Sequence, residues 1–378
     1  MANRHLGVII NGATGRMGGI HLRALLDMRA EGGLPLRNGD RVVPDPLLVG
    51  RDAGRMKALA ESQGGLRWTA DVDAALAGPD TVFMDCAATG GRPELVRRAI
   101  AAGKHIHVEK PIAPTAEEAM QLARLADARG VRHGVIQDKL YLPGFARMRF
   151  LREQGYFGRL IAARIDAGSW IFDGTTQTCQ RPSWNYRRAD GGGLALDMMA
   201  HWRYMLDRLA APVVRVSSLL STAIPTRIDE RGEKYDVDVE DTVLAIMQLE
   251  GGAVATVVNS WATRVRREDT MVVQIDGTGG SAVAGRLRCM TQSAFHTPEA
   301  FYGAAAGMDL SADWAEIPDP GPHKGAYRMC WEAFIRYLEE DAPYVPTLVE
   351  GAKAVQLAEL VYRSHAEGRW IDVPALKL

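Results

Sequence analysis

Three polar side chains in this sequence have the types and neighbours needed to move a proton. Lys110 stands in "HIHVEKPIAP", residues 105–114, where an apolar run with Ile106 and Val108 meets Glu109, Lys110 and Pro111. A proline restricts the residue before it to extended backbone, which gives the Lys110 side chain a fixed direction. Read alone, the stretch is equally a strand end with a solvated charged pair. Asp197 and His201 lie in "DGGGLALDMMAHWRYMLD", residues 190–207. Four apart, they share one face of a helix. A carboxylate beside an imidazole orients the ring and raises its basicity. Gly191–Gly193 before the helix permit close approach of another group. Two other readings remain open. One is an amphipathic helix with a satisfied histidine, and the other is an ion shared between Asp and His at this spacing. No further His, Cys or Asp cluster has ligand spacing, so no metal is expected.

A second group of residues could hold a phosphate. "NGATGRMG" places Gly12, Ala13, Thr14, Gly15, Arg16, Met17 and Gly18 after one apolar run and at the start of a helical pattern. Glycines let the backbone approach a pyrophosphate, and a helix N-terminus offers N–H groups and a positive dipole end. The alternative is a tight strand–helix turn with no ligand. "LLVGRD", residues 47–52, ends the second strand, where an acid favours NAD and an arginine a 2′-phosphate. Arg51 is nearer the strand end than Asp52, and Arg55 follows one turn on, so NADP is expected over NAD. Arg51 and Asp52 read otherwise as a solvated loop, with Asp52 as a helix N-cap.

The elements that must carry these residues follow two patterns. Over the first third, short apolar runs alternate with helical stretches: "LGVIING", "GRMGGIHLRALLDMRA", "DPLLVGRD", "AGRMKALAESQG", "DTVFMDCAAT", "RPELVRRAIAAG", "HIHVEKP", "TAEEAMQLARLADARG" closed by Gly130, and "VRHGVIQDKL". Repeated βα units predict a doubly wound parallel sheet covered on both faces. "LPLRNGDRVVPDP" reads as an inserted loop or short hairpin. After about residue 145 the pattern turns to alternation. "GRLIAARIDAGSWIF" is one half-buried strand, "DTVLAIMQLEGGAVATVVNSWAT" a hairpin turning at Gly251–Gly252, and "TMVVQIDGTGGSAVAG" another pair. This predicts an α+β region with an open, mostly antiparallel sheet. Two helical stretches end the chain, and the prolines between Pro298 and Pro322 mark an irregular connection.

Composition narrows the class. The 378 residues suggest two or three domains. With 45 basic and 46 acidic residues, no global field favours nucleic acid or an anionic membrane. No apolar run reaches the about 20 residues of a membrane helix. Met1 leads directly into a strand, so no secretory signal is expected. Cys86, Cys179, Cys289 and Cys330 are scattered without a metal or redox spacing, which suits a cytoplasmic protein.

The glycine fingerprint, then "EKP", then "GGG…D…H" ahead of antiparallel strands, together resemble the Gfo/Idh/MocA oxidoreductases, the family of glucose–fructose oxidoreductase and inositol dehydrogenase. The resemblance covers essentially the whole chain. It implies a Rossmann domain over residues 1–140, an α+β substrate and oligomerisation domain over 141–345, and a C-terminal helix and strand, 346–378, packing back on the first domain. Lys110, Asp197 and His201 match the family's catalytic set. Ala88, Thr89, Glu109 and Lys110 would join Gly12–Gly18, Arg51 and Asp52 on NADP or NAD. The substrate, a sugar, polyol, inositol or glycoside, would lie between the cofactor domain and the open face of the second sheet. Lys110, Lys139, Tyr141, Trp170, Asp173, Trp184, Tyr186, Arg187, Asp197, His201 and His323 are the lining candidates. Three departures bear on substrate identity. They are GATGRMG for GxGxxG, "AATGGRP" for an "ATPxxxH"-like turn, and no arginine in "QDKLYLP", where Lys139 takes a polar role.

The implied reaction is reversible hydride transfer from a secondary carbinol to NAD(P)+. His201 is the first choice as base, with Asp197 orienting it and Lys110 polarising the same oxygen. Lys110 is the alternative base. Within the class, a glycoside 3-dehydrogenase with a bound, recycled cofactor is the second reading. Outside it stand a non-catalytic NAD(P) sensor and, as a third, a hydratase or lyase that uses the cofactor transiently. Relatives often assemble as dimers or tetramers through the sheet, and a homo-oligomer is expected here.

Overall fold

The computed structural model describes residues 3–177, 181–296, 311–319, 321 and 323–378. Cys179 and most of the Pro298–Pro322 connection lie outside them. The chain divides into two compact units. One comprises Met1–Tyr141, Lys324–Gln356 and Ala375–Leu378, and the other Leu142–His323 and Leu357–Pro374.

The first unit is a parallel sheet with helical crossovers. In chain order it contains β1 (Asn3–Asn11), α1 (Arg16–Ala30), β2 (Leu34–Pro35), β3 (Arg41–Val49), α2 (Ala53–Ser62), β4 (Arg67–Thr69), α3 (Val72–Ala77), β5 (Val82–Asp85), α4 (Arg92–Ala101), β6 (His105–Val108), α5 (Ala116–Ala128) and β7 (His133–Val135). The strand order is β2-β3-β1-β5-β6-β7, with β4 also on β3, and only β2 runs antiparallel. The expected insert is therefore a short β2–β3 hairpin. Pro44 and Pro46 sit inside β3, opposite Leu6 and Val8 of β1. Gly50, at the same alternation, donates its N–H toward β4. The two prolines thus face the stretch where neither β2 nor β4 pairs, so no ladder bond is lost there.

Local chemistry sets the helix ends. Thr115 accepts from the Glu118 amide at 3.2 Å in a Thr-x-x-Glu box, and Gly130 closes α5 at φ 64°. Asp71 caps α3 in the same way. Inside the unit, Val8, Ile10, Leu22, Leu25, Met28, Val82 and Met84 form one core with Trp331 and Phe334. Burying each such side chain stabilises by about 1.5–3 kcal/mol.

The second unit contains α6 (Pro143–Glu153), β8 (Leu160–Gly168), α7 (Leu194–Leu209), β9 (Val213–Ser221), the β10–β11 ribbon (Thr226–Ile228, Lys234–Asp236), β12 (Thr242–Leu249), β13 (Val254–Ser260), β14 (Met271–Gly277), β15 (Gly280–Ala284), β16 (Cys289–Ser293) and β17 (Ala315–Glu316). The hairpin between β12 and β13 turns at Gly251 and Gly252, both at positive φ. The chain then returns through α8 (Ala326–Glu340) and α9 (Leu348–Glu367) to β18 (Ile371–Asp372). The large sheet runs β17-β16-β15-β14-β8-β13-β12-β9-β18, and only β13–β8 is parallel.

The C-terminal segment departs from expectation. The division falls at residue 323 rather than 345, because α8 places Trp331, Phe334 and Ile335 in the core of the first unit. From Leu357 to Pro374 the chain belongs to the second unit, and Ala375–Leu378 belong to the first. Strand β18 pairs Ile371 with Val216 of β9, so this strand extends the antiparallel sheet. Among the described residues, no helix is long and apolar enough to cross a membrane.

Candidate active site

The glycine turn after β1 fits a dinucleotide. Gly12 has φ 78°, and a Cβ there would come within 2.9 Å of the Ala87 amide nitrogen. A Cβ on Gly18 would lie 2.3 Å from the Gly12 carbonyl oxygen. The turn is tied to β3 by the Gly12 N–H donating to Val49 at 2.9 Å. No side chain caps the start of α1. Ala13, Thr14, Gly15 and Gly19 line a cavity with Arg55, Ala58 and Leu59 of α2. Backbone N–H groups at an uncapped helix start beside such a cavity suit a pyrophosphate. Asp52 Oδ1 accepts from the Arg55 amide at 3.0 Å, so this carboxylate serves as the N-cap of α2. Arg51 and Arg55 are both exposed at the same corner.

At the end of β5, a residue that the sequence did not single out organises the walls. Arg92 is buried, and its Nε donates to Asp85 at 2.7 Å. Its two other nitrogens donate to the Ala87 carbonyl, at 2.6 Å, and to the Pro111 carbonyl. Asn11 completes the set, donating to Asp85 at 2.6 Å. One guanidinium thus ties the turn that carries Ala88 and Thr89 to the Glu109–Lys110–Pro111 turn. The Lys110–Pro111 bond is cis.

Lys110 is half-buried. Glu109 is buried, with Oε1 at 3.0 Å from His21 Nε2 and Oε2 accepting the Lys110 N–H at 3.2 Å. Burial pushes the Glu109 carboxyl up, but the His21 hydrogen bond and the charges of Lys110 and Arg92 outweigh it and hold it below its usual value. Lys139 is half-buried, 3.8 Å from Asp138, and Tyr141 packs against the core of the first unit.

In the second unit, α7 starts at Gly193, whose φ is 125°. A Cβ there would lie 2.6 Å from the Tyr362 hydroxyl, and one on Gly192 2.4 Å from the Asn185 carbonyl oxygen. At Gly192 and Gly193 the close approach foreseen is therefore made by the protein's own groups, whereas nothing lies within 4 Å of a Cβ on Gly191. Glu240 Oε1 accepts from the Ala195 amide at 2.7 Å and from the Tyr362 hydroxyl at 2.8 Å, capping α7 from outside the helix. Burial raises the Glu240 carboxyl above its usual value despite these bonds. On the packed face, Trp202 donates to Asn259 of β13 at 2.9 Å.

Asp197 and His201 project from this helix. Asp197 pairs with Arg181 at 2.7 Å, and His201 Nδ1 lies 2.7 Å from the Tyr204 hydroxyl. Neither Arg181 nor Tyr204 was expected. Tyr204 was visible as a polar neighbour three residues along the same helical face, whereas Arg181 left no local signal. The Arg181 guanidinium also lies over the rings of Phe172 and Trp261, at 4.8 and 4.6 Å. Phe172, within the aromatic stretch, is in this way brought to Asp197.

One lining expectation needs correction. Tyr186 is fully buried, with its hydroxyl donating to the Phe172 carbonyl at 2.7 Å and the Arg227 guanidinium 4.2 Å from its ring centre. It is core, because that hydroxyl finds its partner inside. Asp173 accepts from the Thr175 amide in a local turn. Arg187 covers the Tyr235 ring at 4.9 Å. His323 is exposed ahead of α8. Trp170 and Trp184 are partly exposed and remain available for contacts. The open face of the sheet is also not where Asp197 and His201 lie. Trp202 shows that α7 covers the face carrying Asn259 and Val243, whereas Leu219, Leu244, Ile246, Val254 and Val258 point to the other.

Comparison with known proteins agrees with both halves of the chain. Residues 6–137 match an oxidoreductase family with an NAD-binding Rossmann fold, and residues 145–283 match the GFO/IDH/MocA C-terminal domain. The D-xylose dehydrogenase of Paenarthrobacter nicotinovorans is 40% identical over 98% of this chain and 98% of its own. The levoglucosan dehydrogenase of Pseudarthrobacter phenanthrenivorans is 28% identical over 82% of this chain and 84% of its own. A solved levoglucosan dehydrogenase in complex with NADH superposes with a TM-score of 0.83, covering 99% of this chain and 100% of its own at 24% identity, a likeness of fold. The chain is a member of the GFO/IDH/MocA oxidoreductases, with an NAD-binding Rossmann domain and the C-terminal domain of that family.

Proposed function

We propose that this protein is an NAD(P)-dependent sugar dehydrogenase, with D-xylose or a closely related monosaccharide as its substrate. The observation that carries the reading is the near-complete coverage, in both directions, of a D-xylose dehydrogenase at 40% identity. Lys110 at the end of the Rossmann sheet and Asp197 and His201 on α7 supply the groups that oxidation of a carbinol requires. A nicotinamide held by the glycine turn would supply the hydride acceptor. As the C–H bond breaks, the hydroxyl proton leaves to His201, which we assign to act through Nε2 because Nδ1 is engaged by Tyr204. Lys110 holds the same oxygen by hydrogen bonding and stabilises charge developing on it. Asp197, with Arg181, bounds the polar side of the pocket. The products are the carbonyl compound, the reduced cofactor and one proton.

NADP is the proposed partner. The Asp52 carboxylate is occupied as a helix cap, while Arg51 and Arg55 stand at the corner where a 2′-phosphate would lie. A homo-oligomer is proposed to form through the open sheet face. There Leu219, Leu244 and Val258 align across β9, β12 and β13, with Ile246 and Val254 beside them.

The test is turnover of purified protein with pentoses, hexoses, anhydrosugars, glycosides and inositols, read by the absorbance of the reduced nicotinamide. Turnover of D-xylose that is abolished in Lys110→Ala and His201→Ala is the expected result. Cofactor that stays bound through gel filtration and turns over only with a second carbonyl present would favour the glycoside 3-dehydrogenase reading. Tight NAD(P) binding without turnover on any of them would favour a sensor.

A further inference from the structure

The first unit contains a buried chain of hydrogen bonds whose direction is fixed by its chemistry. Trp331 Nε1 lies 3.0 Å from His21 Nδ1, and His21 Nε2 lies 3.0 Å from Glu109 Oε1. Glu109 Oε2 accepts the Lys110 N–H. An indole N–H can only donate, so Nδ1 must present a lone pair to it. A protonated imidazole would set two N–H groups against each other at 3.0 Å. His21 is therefore the neutral Nε2–H tautomer and donates to Glu109. The ring has no exposure, and Tyr327 meets it edge-on at 5.2 Å. Its orientation is thus fixed by packing as well as by bonding. Both oxygens of the Glu109 carboxylate are engaged, one by a side chain from α1 and one by the backbone of the next residue.

We propose that His21 and Trp331 are positioning residues for the Glu109–Lys110 turn. The relay locks the carboxylate, the carboxylate holds the Lys110 N–H, and the Lys110 side chain leaves the backbone in one direction. This rests on the reading that Lys110 works at the nicotinamide. Neither residue need touch substrate or cofactor. Their contribution is to remove alternative conformations of Lys110 before the sugar arrives, and a misplacement on the order of 1 Å can cost about a hundredfold in rate.

Two measurements test the proposal. Long-range proton–nitrogen NMR of the full protein at neutral pH, with the His21 signals assigned by their loss in His21→Gln, should show Nδ1 unprotonated and Nε2 protonated. An imidazolium or a protonated Nδ1 overturns the relay. In kinetics, His21→Leu should lower kcat with the sugar by about tenfold or more and change its KM little. His21→Gln retains an amide N–H that can reach Glu109 and should recover most of the loss, although it no longer accepts from Trp331. Trp331→Phe keeps the packing, frees Nδ1 to take a proton, and should add a new ionisation to the acidic limb of the kcat profile. Wild-type turnover with an unchanged kcat in His21→Leu overturns the positioning role alone. A wild-type protein that reduces neither dinucleotide overturns the functional reading and the positioning role with it, while the NMR result still decides the tautomer.

Discussion

Arg181 holds Asp197 at 2.7 Å while its guanidinium lies over the rings of Phe172 and Trp261, 4.8 and 4.6 Å from their centres. A planar cation so placed cannot be exchanged for a lysine without losing contact with the rings and the fork of donors. Arg181→Met should lower kcat/KM for the sugar by about 10- to 100-fold, equivalent to about 1.4–3 kcal/mol. Arg181→Lys should recover only part of that. Because the ion pair is partly exposed, thermal stability should change by less than activity. A melting temperature lowered in proportion to the lost activity would mean that Arg181 is merely structural.

Cofactor choice is proposed to rest on one corner of the Rossmann unit. Arg55 lines the cavity beside Thr14, and Asp52 is turned into the helix as its cap. Arg51→Ala combined with Arg55→Ala should raise the KM for NADP+ by about 10- to 100-fold, with that for NAD+ nearly unchanged, since each lost charged hydrogen bond is worth about 1.5–3 kcal/mol. Asp52→Ala should act on stability instead, costing about 1 kcal/mol through the lost cap. A wild-type protein that uses NAD+ in strong preference to NADP+ refutes the assignment.

The exposed apolar ladder of the second unit should govern assembly. Leu244 lies between Leu219 and Val258, paired with both across the strands. Leu244→Glu puts a charge where an apolar contact is proposed, and light scattering behind gel filtration should then report a smaller species than the wild type. A wild-type monomer at micromolar concentration would contradict the proposal.

What could be read from the sequence was local. The glycines at 12 and 18, the Thr115–Glu118 box, Gly130 and the Gly251–Gly252 turn each act within a few residues, and the structure uses each as its type requires. The alternation of β12 and β13 likewise gave the hairpin directly. Residues whose partners are distant were not legible. His21 and Trp331 are 310 positions apart, and each alone is an apolar-face residue of an ordinary helix. Arg92 had the appearance of a solvated helix start, yet it is buried because acceptors from two turns, after β5 and after β6, converge on it. Tyr186 failed for the converse reason. An aromatic with a hydroxyl suits a sugar pocket, but its hydroxyl was satisfied internally. The division inside α9 was hidden because one helical period runs unbroken through both halves.

His107 should make the fold acid-sensitive. The ring is fully buried, stacked on Phe334 at 4.2 Å and edge-on to Trp331 at 4.6 Å, and neither nitrogen has a hydrogen-bond partner among the described residues. Burial holds its pKa well below the usual histidine value. In the unfolded chain the same ring takes a proton near pH 6.5, at about its ordinary value. Below that pH the unfolded state binds more protons than the folded one, so stability declines as pH falls toward the depressed folded value. The slope approaches about 1.4 kcal/mol per pH unit. Above about pH 7 both states are neutral, and the site contributes no pH dependence. His107→Phe removes two unsatisfied polar atoms, each worth about 1–3 kcal/mol when stranded, and keeps the stack on Phe334. The variant should be at least as stable as the wild type in mild alkali, and its advantage should widen as the solution is acidified. Urea denaturation at a series of pH values checks this. Parallel stability profiles for the two proteins would show that His107 is not the group responsible.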